Sequence, residues 1–121
     1  MSLKSFFANT VETRELHPDP SLRTNYYRNN YTQVTEALKI LAKVDKLEVR
    51  DINSVHREIY MLGNGYDVIV TLYEITPAEI GVDFKVNWFG GFGYNRPKKK
   101  VLLYYAKLKE VLRFKGVSLH P

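Results

Sequence analysis

The sequence predicts an α+β domain: an antiparallel sheet of four to five strands carrying an N-terminal helix and a long C-terminal helix, in the order β-α-β4-α. Three observations lead there. Val34, Ala37, Leu38, Leu41 and Val44 fall on one stripe at helical spacing. Residues 47–88 then switch to period two, with turn residues between the runs. After a glycine-rich reversal, helical spacing returns over about residues 97–114.

Each element has its own warrant. Residues 1–20 show no periodicity and end in "HPDP", and they read as a loosely ordered leader or an arm along the body. "LRTNYYR", 22–28, is rich in aromatic and polar residues and supplies a first strand. Asn30 with Gln33 three positions on forms a capping arrangement, which starts the first helix at about 31 and carries it to 44. Glu36, Lys39 and Lys43 face away from its apolar stripe. In the meander, "KLEVRDI" sets Leu47 and Val49 on one face. "VHREIYML" sets Val55, Ile59 and Met61 against His56, Glu58 and Tyr60. "GNG", 63–65, is a hairpin signal because asparagine and glycine tolerate positive φ. "YDVIVTLYEI" alternates Val68, Val70 and Leu72 with Ile69, Thr71 and Tyr73, and "TPAE" makes the next turn. "IGVDFKVNWF" turns Val82, Phe84, Val86 and Trp88 inward and Asp83, Lys85 and Asn87 outward, as in a half-buried antiparallel strand. Pro97 suits the first turn of the second helix, whose buried stripe is Val101, Tyr104, Tyr105, Leu108, Val111 and Leu112. Gly116 is the expected stop. The organisation is an arm, 1–20, a single domain, 21–116, and a short tail, 117–121.

This element order resembles the helix-grip folds, including the TATA-binding-protein-like group, over about residues 22–114. The resemblance implies a groove between a curved sheet and the C-terminal helix. It does not imply DNA binding, because such folds host many functions. In this chain the groove would be lined by Val82, Phe84, Trp88, Tyr105 and Leu108.

Composition removes several function classes. A chain of 121 residues that is 45% hydrophobic and 26% charged can bury a core, so wholesale disorder is excluded. With no cysteine, thiol catalysis, disulfides and thiolate metal sites are excluded, in keeping with a reducing, cytoplasmic location. No apolar run reaches the roughly 18–20 residues that span a bilayer. Residues 1–20 have no long apolar segment and carry Glu12 and Glu15, unlike a signal peptide. The net charge of +5 is concentrated: residues 96–115 hold eight basic side chains against Glu110, while the rest of the chain is slightly acidic.

The basic segment opens in "WFGGFGYNRPKKK", 88–100. Its glycines suggest a phosphate loop, but the third position of a G-x-G-x-x-G run from Gly91 is Arg96, and no P-loop spacing is present. Gly90, Gly91 and Gly93 therefore read as the reversal from strand to helix. The cations remain. Arg96, Lys98, Lys99 and Lys100 crowd a helix N-terminus, where positive charge opposes the macrodipole and exposed amides favour an anion. With Phe92, Tyr94, Lys109 and Arg113 they are the candidates for an anion or partner site. Aromatic side chains beside cations also suit single-stranded nucleic acid or, for Phe92 and the lysines, a membrane surface. The bland alternative is a solvated face.

Catalytic chemistry finds no motif. His17, His56 and His120 have no metal-ligand spacing, and His56 with Glu58 reads as a cross-strand polar pair. No serine sits in a nucleophile elbow. The expectation is a non-enzymatic protein with no cofactor and no metal. The sheet face opposite the core carries Tyr60, Leu62, Ile69, Tyr73 and Ile75, which is apolar enough to mark an interface. Phe6 and Phe7 of the arm would cover it, or a second copy in a homodimer. The leading expectation is a module that binds a small ligand or a protein in the sheet–helix groove. The alternative is a nucleic-acid-binding domain using the basic helix start.

Overall fold

Seven strands and two helices are formed by the residues that the computed structural model describes, 9–90 and 93–121. In chain order they are β1 (Thr10–Glu12), β2 (Asn25–Tyr27), α1 (Tyr31–Val44), β3 (Glu48–Asn53), β4 (Glu58–Leu62), β5 (Tyr66–Thr76), β6 (Glu79–Trp88), α2 (Arg96–Val111) and β7 (Phe114–Val117). The sheet runs β3-β4-β5-β6-β2-β7, and every pairing in it is antiparallel. β1 also pairs with β6, so β1 and β2 lie end to end along one edge of that strand. The α+β class and both helices are as the sequence predicts.

Local chemistry explains α1. Asn30 accepts from the Gln33 amide and Gln33 reaches back to the Asn30 amide, which closes a capping box. At the other end Lys46 takes φ 58, Lys46 N–H donates to Lys43 O, and Leu47 N–H donates to Ala42 O. That is a Schellman ending with lysine where glycine is usual, closed by the buried pair Leu47 and Ala42. α2 starts less comfortably. Tyr94 and Asn95 both have positive φ, and Asn95 offers no side-chain cap.

Both helices pack on one face of the sheet. There Val34, Leu38 and Leu41 from α1 and Val101, Tyr104 and Leu108 from α2 meet Ile59, Met61, Val68, Val70, Ile80, Val82, Phe84 and Val86. Two positions of the expected stripes depart from it. Val44 and Val111 are 60% and 63% exposed and, with Ile40, flank a shallow apolar groove between the helices.

Three further differences have physical causes. The second helix ends at Val111, not near 114. Arg113 N–H donates to Asn29 Oδ1 and Arg28 N–H donates to Arg113 O, so the backbone is captured by the β2–α1 junction. It then pairs with β2 as β7, and Gly116 faces Tyr26 in that ladder instead of stopping a helix. Val55 and His56 lie in a turn, where Asn53 Oδ1 accepts from both their amides, so His56 is not a strand partner of Glu58. Within residues 1–20, Thr10–Glu12 is a strand and Pro20–Leu22 a 3-10 turn. Phe6, Phe7, Gly91 and Phe92 lie outside the described residues.

Candidate functional site

The basic start of α2 is tied into the fold. Lys98 pairs with Asp19 at 2.7 Å, in the loop between β1 and β2. Lys100 pairs with Asp45 at 3.2 Å, the C-cap of α1. The Arg96 guanidinium lies 5.6 Å from the Trp88 ring centre and 5.7 Å from that of Tyr94. Lys109 sits over Phe114 at 4.3 Å. Lys99 and Arg113 are exposed and form no ion pair among the described residues. The charges that crowd this helix end thus recruit acids and rings from four other parts of the chain.

Asp45 gathers the densest polar cluster. It accepts from Tyr104 at 2.6 Å, Tyr66 at 3.0 Å and Lys100, and Tyr66 stacks on Trp88 at 5.0 Å. Burial pushes the Asp45 carboxyl up, but the Tyr104 and Lys100 donors outweigh it and the group lies below its ordinary range. Burial, then the bond to Asp45, pushes the Tyr104 hydroxyl up. These groups satisfy one another, and their arrangement is that of a structural clamp between α1, β5 and α2.

Of the expected groove residues, Val82, Phe84, Tyr105 and Leu108 belong to the packed core, while Trp88 is half-buried at its margin. The Tyr105 hydroxyl donates into the sheet, to Val82 O at 2.9 Å. Tyr105 also lines a cleft of about 290 Å3 with Pro20, Leu102 and Val117, between α2 and the β2–β7 edge. Its ionisable side chains are Lys109 and Tyr105, and no carboxylate lines it.

The opposite face of the sheet, free of helices among the described residues, is more polar than its apolar positions suggest. Thr10, Asn87, Asp67 and Tyr60 form a hydrogen-bonded row across β1, β6, β5 and β4. Further along β6 comes Asp83. Its Oδ1 accepts from Thr13 Oγ1 at 2.6 Å and Thr24 Oγ1 at 2.7 Å. Those threonines stand where β1 ends and β2 begins, so the break between the two strands creates the site. Thr13 also binds the Phe84 backbone twice: its amide donates to Phe84 O and its hydroxyl accepts from Phe84 N–H.

Asp83 lines a cavity of about 300 Å3 with Arg14, Glu15, Thr24, Tyr26, Tyr73, Ile75 and His120. Its shape follows from the cross-strand row Tyr73, Gly81, Tyr26, Gly116, in which large and small residues alternate. The Tyr26 hydroxyl donates to Glu15. The tail adds a wall: Ser118 donates to Glu15 O, and His120 meets Tyr26 edge-on at 4.9 Å while binding Glu79 at 2.7 Å. Burial pushes the Asp83 carboxyl above its ordinary value; the Thr13, Thr24 and Tyr73 hydroxyls pull the other way, and the Glu15 charge adds to the rise. Burial and the Asp83 charge likewise push Tyr73 up.

No protein-family model matches this chain, and no curated protein matches it in sequence. Among the described residues no three acidic or histidine side chains come together to hold a metal ion. No helix is long and apolar enough to cross a membrane. Sequence reading placed Asp83 on the outward face of its strand but gave no sign that Thr13, Thr24 and Glu15 would surround it. The one available signal is "VDF": an acid opposite the threonine of a neighbouring strand, Thr71, on a face that also carries Tyr73.

Proposed function

We propose that this chain is a binding module that takes a small ligand in the cavity on the open face of its sheet. The observation that carries the reading is the half-buried Asp83 carboxyl at the cavity wall, between Tyr26 and Tyr73. A concave site with aromatic side chains and a few convergent polar groups, one of them with a displaced pKa, is the usual form of a ligand pocket. Holding such a carboxyl away from bulk water costs stability. The core would be served as well by a neutral residue at that position.

The cleft at Tyr105 has similar volume but no carboxylate in its lining, so it supports the reading less well. A nucleic-acid module using the start of α2 has less support still, since Arg96, Lys98 and Lys100 are already engaged within the chain.

The test is a fragment-library screen followed by amide chemical shifts of the whole chain. Binders should move the resonances of Tyr26, Tyr73, Gly81 and Asp83 together. Perturbations that gather at residues 96–100, or at the Tyr105 cleft, would sink this placement of the site.

A further inference from the structure

We infer that the cavity selects an organic cation: a protonated amine on a small apolar or aromatic body. The inference rests on the proposed ligand-binding reading and names its ligand class.

Two carboxylates line the cavity, Asp83 and Glu15. Asp83 receives hydroxyl donors but no cation: among the described residues neither a lysine nor an arginine pairs with it. Glu15 is in the same position, with the Tyr26 hydroxyl and the His120 amide as its donors. Asp67, outside the cavity, is likewise held only by neutral donors, Tyr60 and Asn87, whereas two other shielded acids have cations. Asp45 has Lys100, and Glu79 has Lys115 and His120. Arg14, the one permanent cation at the cavity, is exposed and reaches neither acid within ion-pair distance. His120 is committed to Glu79.

Aromatic faces supply the second element of recognition. Tyr73, in β5, and Tyr26, in β2, flank Gly81 of β6; the buried Tyr26 ring lies over Gly81, so Tyr73 carries the accessible aromatic surface of the cavity. Tyr73 is 45% exposed and lines the cavity. A cation beside such rings gains from their quadrupoles, and more so where water is partly excluded. Ile75 completes an apolar wall for the body of the ligand. A carboxylate ligand would meet the charges of Asp83 and Glu15 without relief. A neutral ligand would leave Asp83 as it is. An ammonium relieves the unfavourable burial of that charge and gains charge-assisted hydrogen bonds. This would draw Asp83 back toward its ordinary acidity as the complex forms.

Three probes with one shape separate the possibilities: phenethylamine, 2-phenylethanol and 3-phenylpropionate, each titrated at pH 7 with amide shifts as the readout. The amine should bind about tenfold more tightly than the alcohol, the discrimination that one charge-assisted contact supplies. The acid should bind weakest. Asp83→Asn should bring the amine down to the affinity of the alcohol. Tyr73→Leu, at a half-exposed position that the fold tolerates, should weaken the amine more than the alcohol and keeps the test open if the Asp83 variant misfolds. Equal affinity for amine and alcohol, or preference for the acid through Arg14, overturns the inference and leaves the ligand-binding reading standing. Fragments that fill the cavity while all three probes fail also overturn it. A cavity that takes neither probes nor fragments overturns both.

Discussion

The Tyr26 ring fills the space over Gly81. The two residues face each other in the β2–β6 ladder, and a Cβ built on Gly81 would stand 2.7 Å from Tyr26 Cε1. Tyr26 is 2% exposed, so the ring has little room to retreat. Glycine is needed here for close approach, not for an unusual backbone angle. The contact fixes where the Tyr26 hydroxyl meets Glu15, and so sets one wall of the cavity.

Gly81→Ala should therefore push Tyr26 off its seat and cost about 1–3 kcal/mol, the range for overpacking. Urea denaturation measures the loss. The attribution is checked by a double-mutant cycle: in a Tyr26→Ala background the same substitution should cost little. An equal cost in both backgrounds would show that the strain lies elsewhere.

Asp83→Asn should raise stability at neutral pH, with a pH dependence of definite sign. The folded-state pKa of Asp83 lies above its ordinary value of 3.8. The folded protein thus holds the proton more tightly than the unfolded chain. Its contribution is fully present below pH 3.8 and fades as pH rises through the higher folded value. The amide has no proton to lose. The stability advantage of the variant over the parent should be greatest near pH 7 and should shrink toward pH 4. Parallel stability curves for the two proteins would rule out an elevated Asp83.

Asp45→Ala should be among the more damaging single changes. It strips one acceptor from Tyr104, Tyr66 and Lys100 at once. Tyr66 and Tyr104, 3.4 Å apart, can still bond to each other, which limits the loss. A buried donor left without its partner costs about 1–3 kcal/mol, and the net effect should lie near the top of that range. Asp45→Asn keeps one acceptor and should lose less. Chemical denaturation of the two variants tests the order.

The elements legible in the sequence are those whose signals are local. Asn30 and Gln33 announce α1 because a capping box is satisfied within four residues. "GNG" and "TPAE" announce their hairpins because each turn is made by its own side chains and dihedrals. β7 stayed hidden because Phe114 falls within one turn of Val111 and Gly116 looks like a helix stop, and only Asn29 and Arg28, over 80 positions away, divert the chain into the sheet. Val44 and Val111 were misplaced for a related reason. An apolar stripe shows where a helix could be buried, while its neighbour decides how wide the buried strip is. The lysines of 98–100 were legible as a cluster, but their partners Asp19 and Asp45 belong to other elements. The cavity was the least legible feature. It arises where two short strands meet end to end on β6, and no period or motif encodes that break.

The ion pair of Asp19 with Lys98 gives a last prediction, which joins the edge of the fold to the cavity. Lys98, followed by the Ser21 hydroxyl, holds the Asp19 carboxyl down at about 2. A depressed acid contributes stability above its unfolded value of 3.8, and that contribution is lost as pH falls toward about 2. Both side chains keep some exposure, 19% for Lys98 and 34% for Asp19, so the pair is screened and worth about 0.5–1 kcal/mol. Lys98→Ala should cost that amount above pH 4, and the gap to the parent should close between pH 4 and pH 2. The Asp19 side-chain carbonyl carbon should titrate at a higher pH in the variant, as seen by NMR. The pair also pins the loop that runs from Thr13 to Thr24, the two donors to Asp83. Faster amide exchange in residues 14–23 should accompany the loss, along with weaker binding of any cavity ligand. Unchanged exchange across that loop would show that Thr13 and Thr24 hold it without help from α2.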